Sequence, residues 1–173
     1  AVVVAAGAKP AVLEVAGADG PQVVQAVDLI LGRASAGREV VVVGGRYLGM
    51  EIADQLAGEG RRVSLVSRRQ VGRGMERNVY LTLRQRLMDK GVRIYQFSPV
   101  AEIRPDGLYM IFNNDLVFLS ADTVVLAVGM KSRSDVVEKL KKAVPEMYSI
   151  GDCIQPRDVM EAVREAAELA RRI

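Results

Sequence analysis

Val40-Val41-Val42-Val43-Gly44-Gly45-Arg46-Tyr47-Leu48-Gly49-Met50-Glu51 is the stretch that decides the fold. Four valines read as a buried strand, the glycines as a tight turn, and Ile52-Ala53-Asp54-Gln55-Leu56-Ala57 as the body of a helix. That order presents the free amides of a helix N-terminus to a dinucleotide pyrophosphate. Nucleotide binding is the leading expectation.

Outward from this unit, the helix runs to about Glu59 and Gly60 stops it, and a strand follows over Arg62 to Val66. Strand, helix and strand so close together imply a right-handed parallel crossover. A second helix is predicted over Glu76 to Lys90 and another strand over Val92 to Phe97. Between Val100 and Leu119, the turn clusters Pro105-Asp106-Gly107 and Asn113-Asn114-Asp115 predict a small antiparallel meander. The run from Thr123 to Val128 is continuously apolar and returns to the sheet as a strand covered on both faces. Toward the N-terminus, Ala1 to Gly7 reads as a strand, Lys9 to Gly20 as loop and Pro21 to Gly32 as a helix. Toward the C-terminus come a charged helix from Ser134 to Lys142, a short strand from Met147 to Ile150, and an amphipathic helix over 158–172. The fold class is α/β, a Rossmann-like parallel sheet with helices and a small antiparallel meander.

The 173 residues are half apolar, enough for a packed core, and carry a formal charge of only +3. No apolar run approaches the roughly 18 residues a membrane helix needs. The lone Cys153 has no partner for a disulfide or a zinc site, and with no histidine the usual metal ligands and acid/base groups are absent. No catalytic residue and no metal site are therefore assigned, and a cytoplasmic location is expected. Residues 61–88 gather Arg61, Arg62, Arg68, Arg69, Arg73, Arg77, Arg84 and Arg86 against Glu76 alone. Such a cluster attracts phosphate, although a solvated helix face also explains a charge run.

Gly44 and Gly49 take the first and last positions of the glycine fingerprint, with Arg46 where its middle glycine would stand. Arg46 either blocks backbone approach to the pyrophosphate or supplies a charge partner. At the end of the next strand, NAD-specific folds place an acid for the ribose hydroxyls. Here Ser67, Arg68 and Arg69 stand there instead, and they suit a 2′-phosphate, so NADP(H) is expected over NAD(H).

Order and motifs together resemble the C-terminal, two-dinucleotide half of flavoprotein reductases of the 2,4-dienoyl-CoA reductase and trimethylamine dehydrogenase group, which carry an old-yellow-enzyme barrel in front. Residues 1–7, ending Ala5-Ala6-Gly7, are similar to the strand with an Ala-Thr-Gly signature, and Tyr148-Ser149-Ile150-Gly151-Asp152-Cys153 to the returning FAD-domain strand. The resemblance implies FAD-domain remnants at 1–37 and 129–173 around an NAD(P)-binding domain at 38–128. It implies that the first FAD strand, its glycine loop and the barrel belong upstream as the missing partners of this chain, which leaves the FAD contacts here with little to bind. Hydride would pass from the nicotinamide cofactor to FAD in the full-length parent, and the chain alone would not turn over.

Residue by residue, the resemblance implies a phosphate turn at Gly44, Gly45, Arg46, Tyr47, Leu48 and Gly49, with Tyr47 and Glu51 on the cofactor side. It puts Ala127, Val128 and Gly129 beside the nicotinamide, and Gly151 and Asp152 against the flavin ribityl chain. Each has a plainer reading: Tyr47 as packing, Glu51 as a dipole partner, Ala127 to Gly129 as a buried strand end, Asp152 as a turn residue. Two rivals from other classes stand beside this. A Rossmann-like binding or regulatory module could have lost its cofactor through Arg46. Nucleic-acid binding through the arginines lacks interleaved aromatics or a recognition helix, and no nucleic acid is expected.

Overall fold

The computed structural model describes residues 1–141 and 143–173, and they divide into two compact units, 1–11 with 129–173 and 12–128. The smaller unit opens the chain with β1 (Val2–Val4) and β2 (Ala8–Pro10). The larger carries β3 (Val23–Gln25), α1 (Ala26–Ile30), β4 (Glu39–Val43), α2 (Tyr47–Gly58), β5 (Arg62–Ser67), α3 (Arg77–Asp89) and β6 (Arg93–Gln96). It continues with β7 (Val100–Arg104), β8 (Gly107–Phe112), β9 (Asp115–Ser120) and β10 (Thr123–Leu126). The smaller unit then closes with β11 (Met130–Ser132), α4 (Ser134–Lys141), β12 (Met147–Ser149) and α5 (Val159–Ala170). Lys142, the last residue of the predicted charged helix, lies outside the described residues.

In the larger unit, β3, β10, β4, β5 and β6 form an all-parallel sheet in that order. Val40 to Val43 and Thr123 to Leu126 are buried throughout, because successive side chains enter two different cores. Val40, Val42, Leu65 and Val125 pack against Met50, Ile52 and Leu56 of α2 and Leu83 and Leu87 of α3. Val41, Val43, Val66, Val124 and Leu126 pack against Ile103, Leu108, Met110 and Leu119 of the β7–β8–β9 meander. The meander therefore serves as the second cover of the sheet.

The predicted helix over 21–32 is corrected. Val23 and Val24 extend the parallel sheet beside Val124 and Val125, and only Ala26–Ile30 is helical. Two adjacent β-branched residues favour a pleated, packed position over a helix, and the sheet edge offers one. This strand lies in the larger unit with the rest of 12–37. Lys9 and Pro10, expected as loop, belong with Ala8 to a strand that pairs antiparallel with β11 inside the smaller unit.

Capping sets the ends of α3. The Glu76 side chain accepts a hydrogen bond from the Val79 amide at 3.0 Å, and amides of Asn78 and Val79 hold that carboxyl below its ordinary range. Gly91, at φ +70°, ends the helix. In the smaller unit β1 and β12 form a parallel pair, and Asp158 caps α5 by accepting from Glu161. Cys153 is a buried free thiol whose Sγ donates to the carbonyls of Val4 and Ile150.

Candidate nucleotide-binding site

Register aligns the carboxyl ends of three strands, with Val43 beside Val66 on one side and Leu126 on the other. Gly44 leaves β4 at φ +132°, donates its amide to the Val66 carbonyl, and has Ala127 so close that a Cβ would stand 2.2 Å from that residue's oxygen. Gly49 sits in the first turn of α2, where a Cβ would come within 1.8 Å of the Gly44 carbonyl oxygen. A Cβ on Gly45 would meet the Ser67 Oγ at 2.7 Å. Glycine at these positions is what lets the helix mouth settle against the ends of β4, β5 and β10.

The mouth itself lacks the usual anionic cap. Arg46 occupies the N-cap position without a side-chain hydrogen bond to the helix, and the first turn contains no acid. Glu51 falls one turn further along and is exposed. The leading amides of α2 and the positive end of its dipole are therefore left without a counter-charge from α2 itself. Leu48 packs partly into the core, and the Tyr47 hydroxyl accepts a hydrogen bond from the Glu76 amide at 3.0 Å. Tyr47 thereby joins α2 to the start of α3.

At the end of β5, Ser67 is buried, its Oγ accepting from the Arg69 amide at 3.4 Å and its carbonyl from the Ser98 amide at 2.8 Å. Arg68 and Arg69 are exposed beside it. Three other arginines of the rich stretch are committed: Arg61 pairs with Glu59, Arg62 with Glu39, and Arg86 with Asp54. Asp54 is only 5% exposed and also receives Lys90 Nζ at 2.8 Å, an α2–α3 clamp that sequence reasoning missed. Among the described residues, no carboxylate pairs with Arg46, Arg68 or Arg69.

Ala127 donates to the Val43 carbonyl at 2.8 Å and is buried beside Gly44, with Val128 half-buried after it. Gly129, Gly151 and Asp152 belong to the smaller unit. There the Gly151 amide donates to Glu165 Oε2 at 2.6 Å, and Asp152 Oδ1 accepts from the Arg157 amide at 3.1 Å. Arg157 also pairs with Glu165, and this bond, followed by that of the Gly151 amide, holds the Glu165 carboxyl below its ordinary range. Both polar groups expected to face a flavin are thus engaged by neighbours within their own unit. Among the described residues, by contrast, the α2 mouth has no acid in its first turn and the arginines beside it have no carboxylate partner.

A parallel sheet whose glycine turn, helix mouth and strand ends converge in this way defines a dinucleotide-binding α/β protein. The profile of the pyridine nucleotide-disulphide oxidoreductase family matches residues 1–168, and the chain belongs to that family, which binds FAD and NAD(P)H. A metal reductase of Desulforamulus reducens is 28% identical over 195 residues, covering 95% of this chain and 29% of the reductase. A cinnamate reductase of Clostridium sporogenes is 27% identical over 176 residues, covering 99% of the chain and 26% of that protein. Among solved structures, a 2-naphthoyl-CoA reductase in complex with 2-naphthoyl-CoA superposes with a TM-score of 0.91 at 26% identity, covering 99% of the chain and 26% of the reductase. The chain spans less than a third of the length of each of them.

Proposed function

We propose that the chain is the NAD(P)H-binding portion of a flavin-dependent oxidoreductase, and that its larger unit takes NADPH in preference to NADH. The observation that carries this reading is the first turn of α2, which holds no acid, beside buried Ser67 and exposed Arg68 and Arg69, neither of which has a carboxylate partner among the described residues. Amides of α2 hold the pyrophosphate, and the two guanidinium groups neutralise a 2′-phosphate that an acid at the end of β5 would repel. Ala127 and Val128 border the turn on the side opposite β5 and line the nicotinamide end. Tyr47 positions the mouth rather than touching the reacting atoms. When bound, the nicotinamide supplies a hydride, and the chain's own residues supply orientation and electrostatics.

The smaller unit, 1–11 with 129–173, is on this reading part of a flavin domain completed by the rest of a larger protein. Two relatives with reductase names, each more than three times as long as the part matched, support a longer parent protein with additional domains. The test is a fluorescence titration of the chain with NADPH and NADH. Dissociation constants at least about tenfold lower for NADPH are expected from one charge-assisted contact. Equal binding of the two overturns the preference, and absence of both overturns the site.

A further inference from the structure

Three consecutive residues of the glycine turn each engage the loop that follows β5, at every second residue. The Gly45 carbonyl accepts from the Gly72 amide at 2.7 Å, and the Tyr47 hydroxyl accepts from the Glu76 amide at 3.0 Å. Between them Arg46 lies against Gly74, where a Cβ would stand 3.6 Å from its Nη2. The backbone of Arg46 is extended, with φ −99° and ψ −169°, so any L-residue is accommodated there without strain. Its side chain reaches Gly74, in the loop that leaves β5 through Arg68 and Arg69, while the preceding residue, Gly45, lies against Ser67, where a Cβ would meet the Oγ at 2.7 Å. Among the described residues no carboxylate pairs with this exposed guanidinium, which belongs to the N-cap residue of α2 at the positive end of the helix dipole, so an anion is favoured beside it.

We infer that Arg46 is a specificity-determining residue that binds the 2′-phosphate of NADPH together with Arg68 and Arg69. This deepens the reading above and rests on it. The glycine fingerprint is altered at its middle position in a way that adds a phosphate ligand, and the 72–76 loop, fastened to residues 45 and 47, fixes where that ligand points. Arg46→Gln keeps most of the bulk and removes the charge, whereas Arg46→Gly removes both.

Dissociation constants for NADPH, NADH and adenosine 2′,5′-bisphosphate are measured by calorimetry on the full chain and both variants, with circular dichroism melts to verify folding. Both substitutions are expected to weaken NADPH and the bisphosphate by about tenfold and to leave NADH within about twofold. Tighter binding of both dinucleotides to the Arg46→Gly variant overturns the inference in favour of obstruction. Equal losses for NADPH and NADH overturn it in favour of a pyrophosphate contact, and unchanged constants show a merely solvated side chain. If the unaltered chain prefers NADPH and the variants match it, Arg46 alone is misassigned. If the unaltered chain binds neither dinucleotide, the underlying site fails and this inference fails with it.

Discussion

The Tyr47 hydroxyl and the Glu76 amide, 3.0 Å apart, join the first residue of α2 to the residue that caps α3. The hydroxyl accepts this amide while the Glu76 carboxylate accepts the Val79 amide three residues on, so two helix starts share one fastening. Replacing Tyr47 by Phe removes one hydrogen bond and leaves the ring. The expected loss is about 1 kcal/mol in urea denaturation and a few-fold weakening of NADPH as the 72–76 loop loosens. An unchanged midpoint would show that the ring alone carries the contact.

Asp54 is the buried end of a clamp whose other ends, Arg86 and Lys90, reach solvent. Asp54→Ala should cost about 2 kcal/mol, below the 3–5 typical of a broken buried pair because the abandoned cations can hydrate. Arg86→Ala should cost less, since Lys90 still satisfies the carboxylate. The order of the two urea midpoints is the measurement, and the reverse order would show that Arg86 matters through packing.

Gly49→Ala forces a methyl group against the Gly44 carbonyl oxygen at 1.8 Å, so the helix mouth must move. A loss of about 3 kcal/mol and of dinucleotide binding is expected. Gly60→Ala is the comparison: its φ of +81° is unfavourable for alanine, but nothing lies in the way. It should cost about 1 kcal/mol and leave binding intact. Thermal melts and titrations of both variants separate steric from conformational demand, and equal effects would refute the close-packing account.

The carboxyl of Glu165 is held down by Arg157 and the Gly151 amide, so its ionised form is favoured by folding. A depressed carboxyl contributes stability that is fully present above its ordinary value of 4.5 and disappears as pH falls through the lower folded value. Acid titration of stability should therefore be flatter for Glu165→Gln than for the unaltered chain in that acidic window. Superimposable curves would show that the Gly151 turn does not depend on the charge.

Local signals made the central part of the fold legible. The valine run, Gly44, Gly49 and Gly60 mark β4, the turn and α2 within one short window, and Gly91 marks the end of α3. Long-range partners were hidden. Val23 and Val24 become a strand only because Val124 and Val125 offer an edge a hundred residues later, and a helical spacing of apolar residues competes with that pairing. The candidate site was proposed from glycines, Ser67 and two arginines, but the division of the arginine stretch was not legible, since it depends on Glu39, Glu59 and Asp54 arriving from other elements. Glu165, which occupies the Gly151 amide, gave no signal at all, because a half-buried glutamate in an amphipathic helix reads in sequence like any other.

That division separates heritable preference from structural integrity. Arg61, Arg62 and Arg86 are spoken for by carboxylates of the scaffold, whereas Arg46, Arg68 and Arg69 make no ion pair among the described residues. On the proposed reading, a lineage that recodes the latter positions drifts from one electron carrier to the other while its melting behaviour stays where it began.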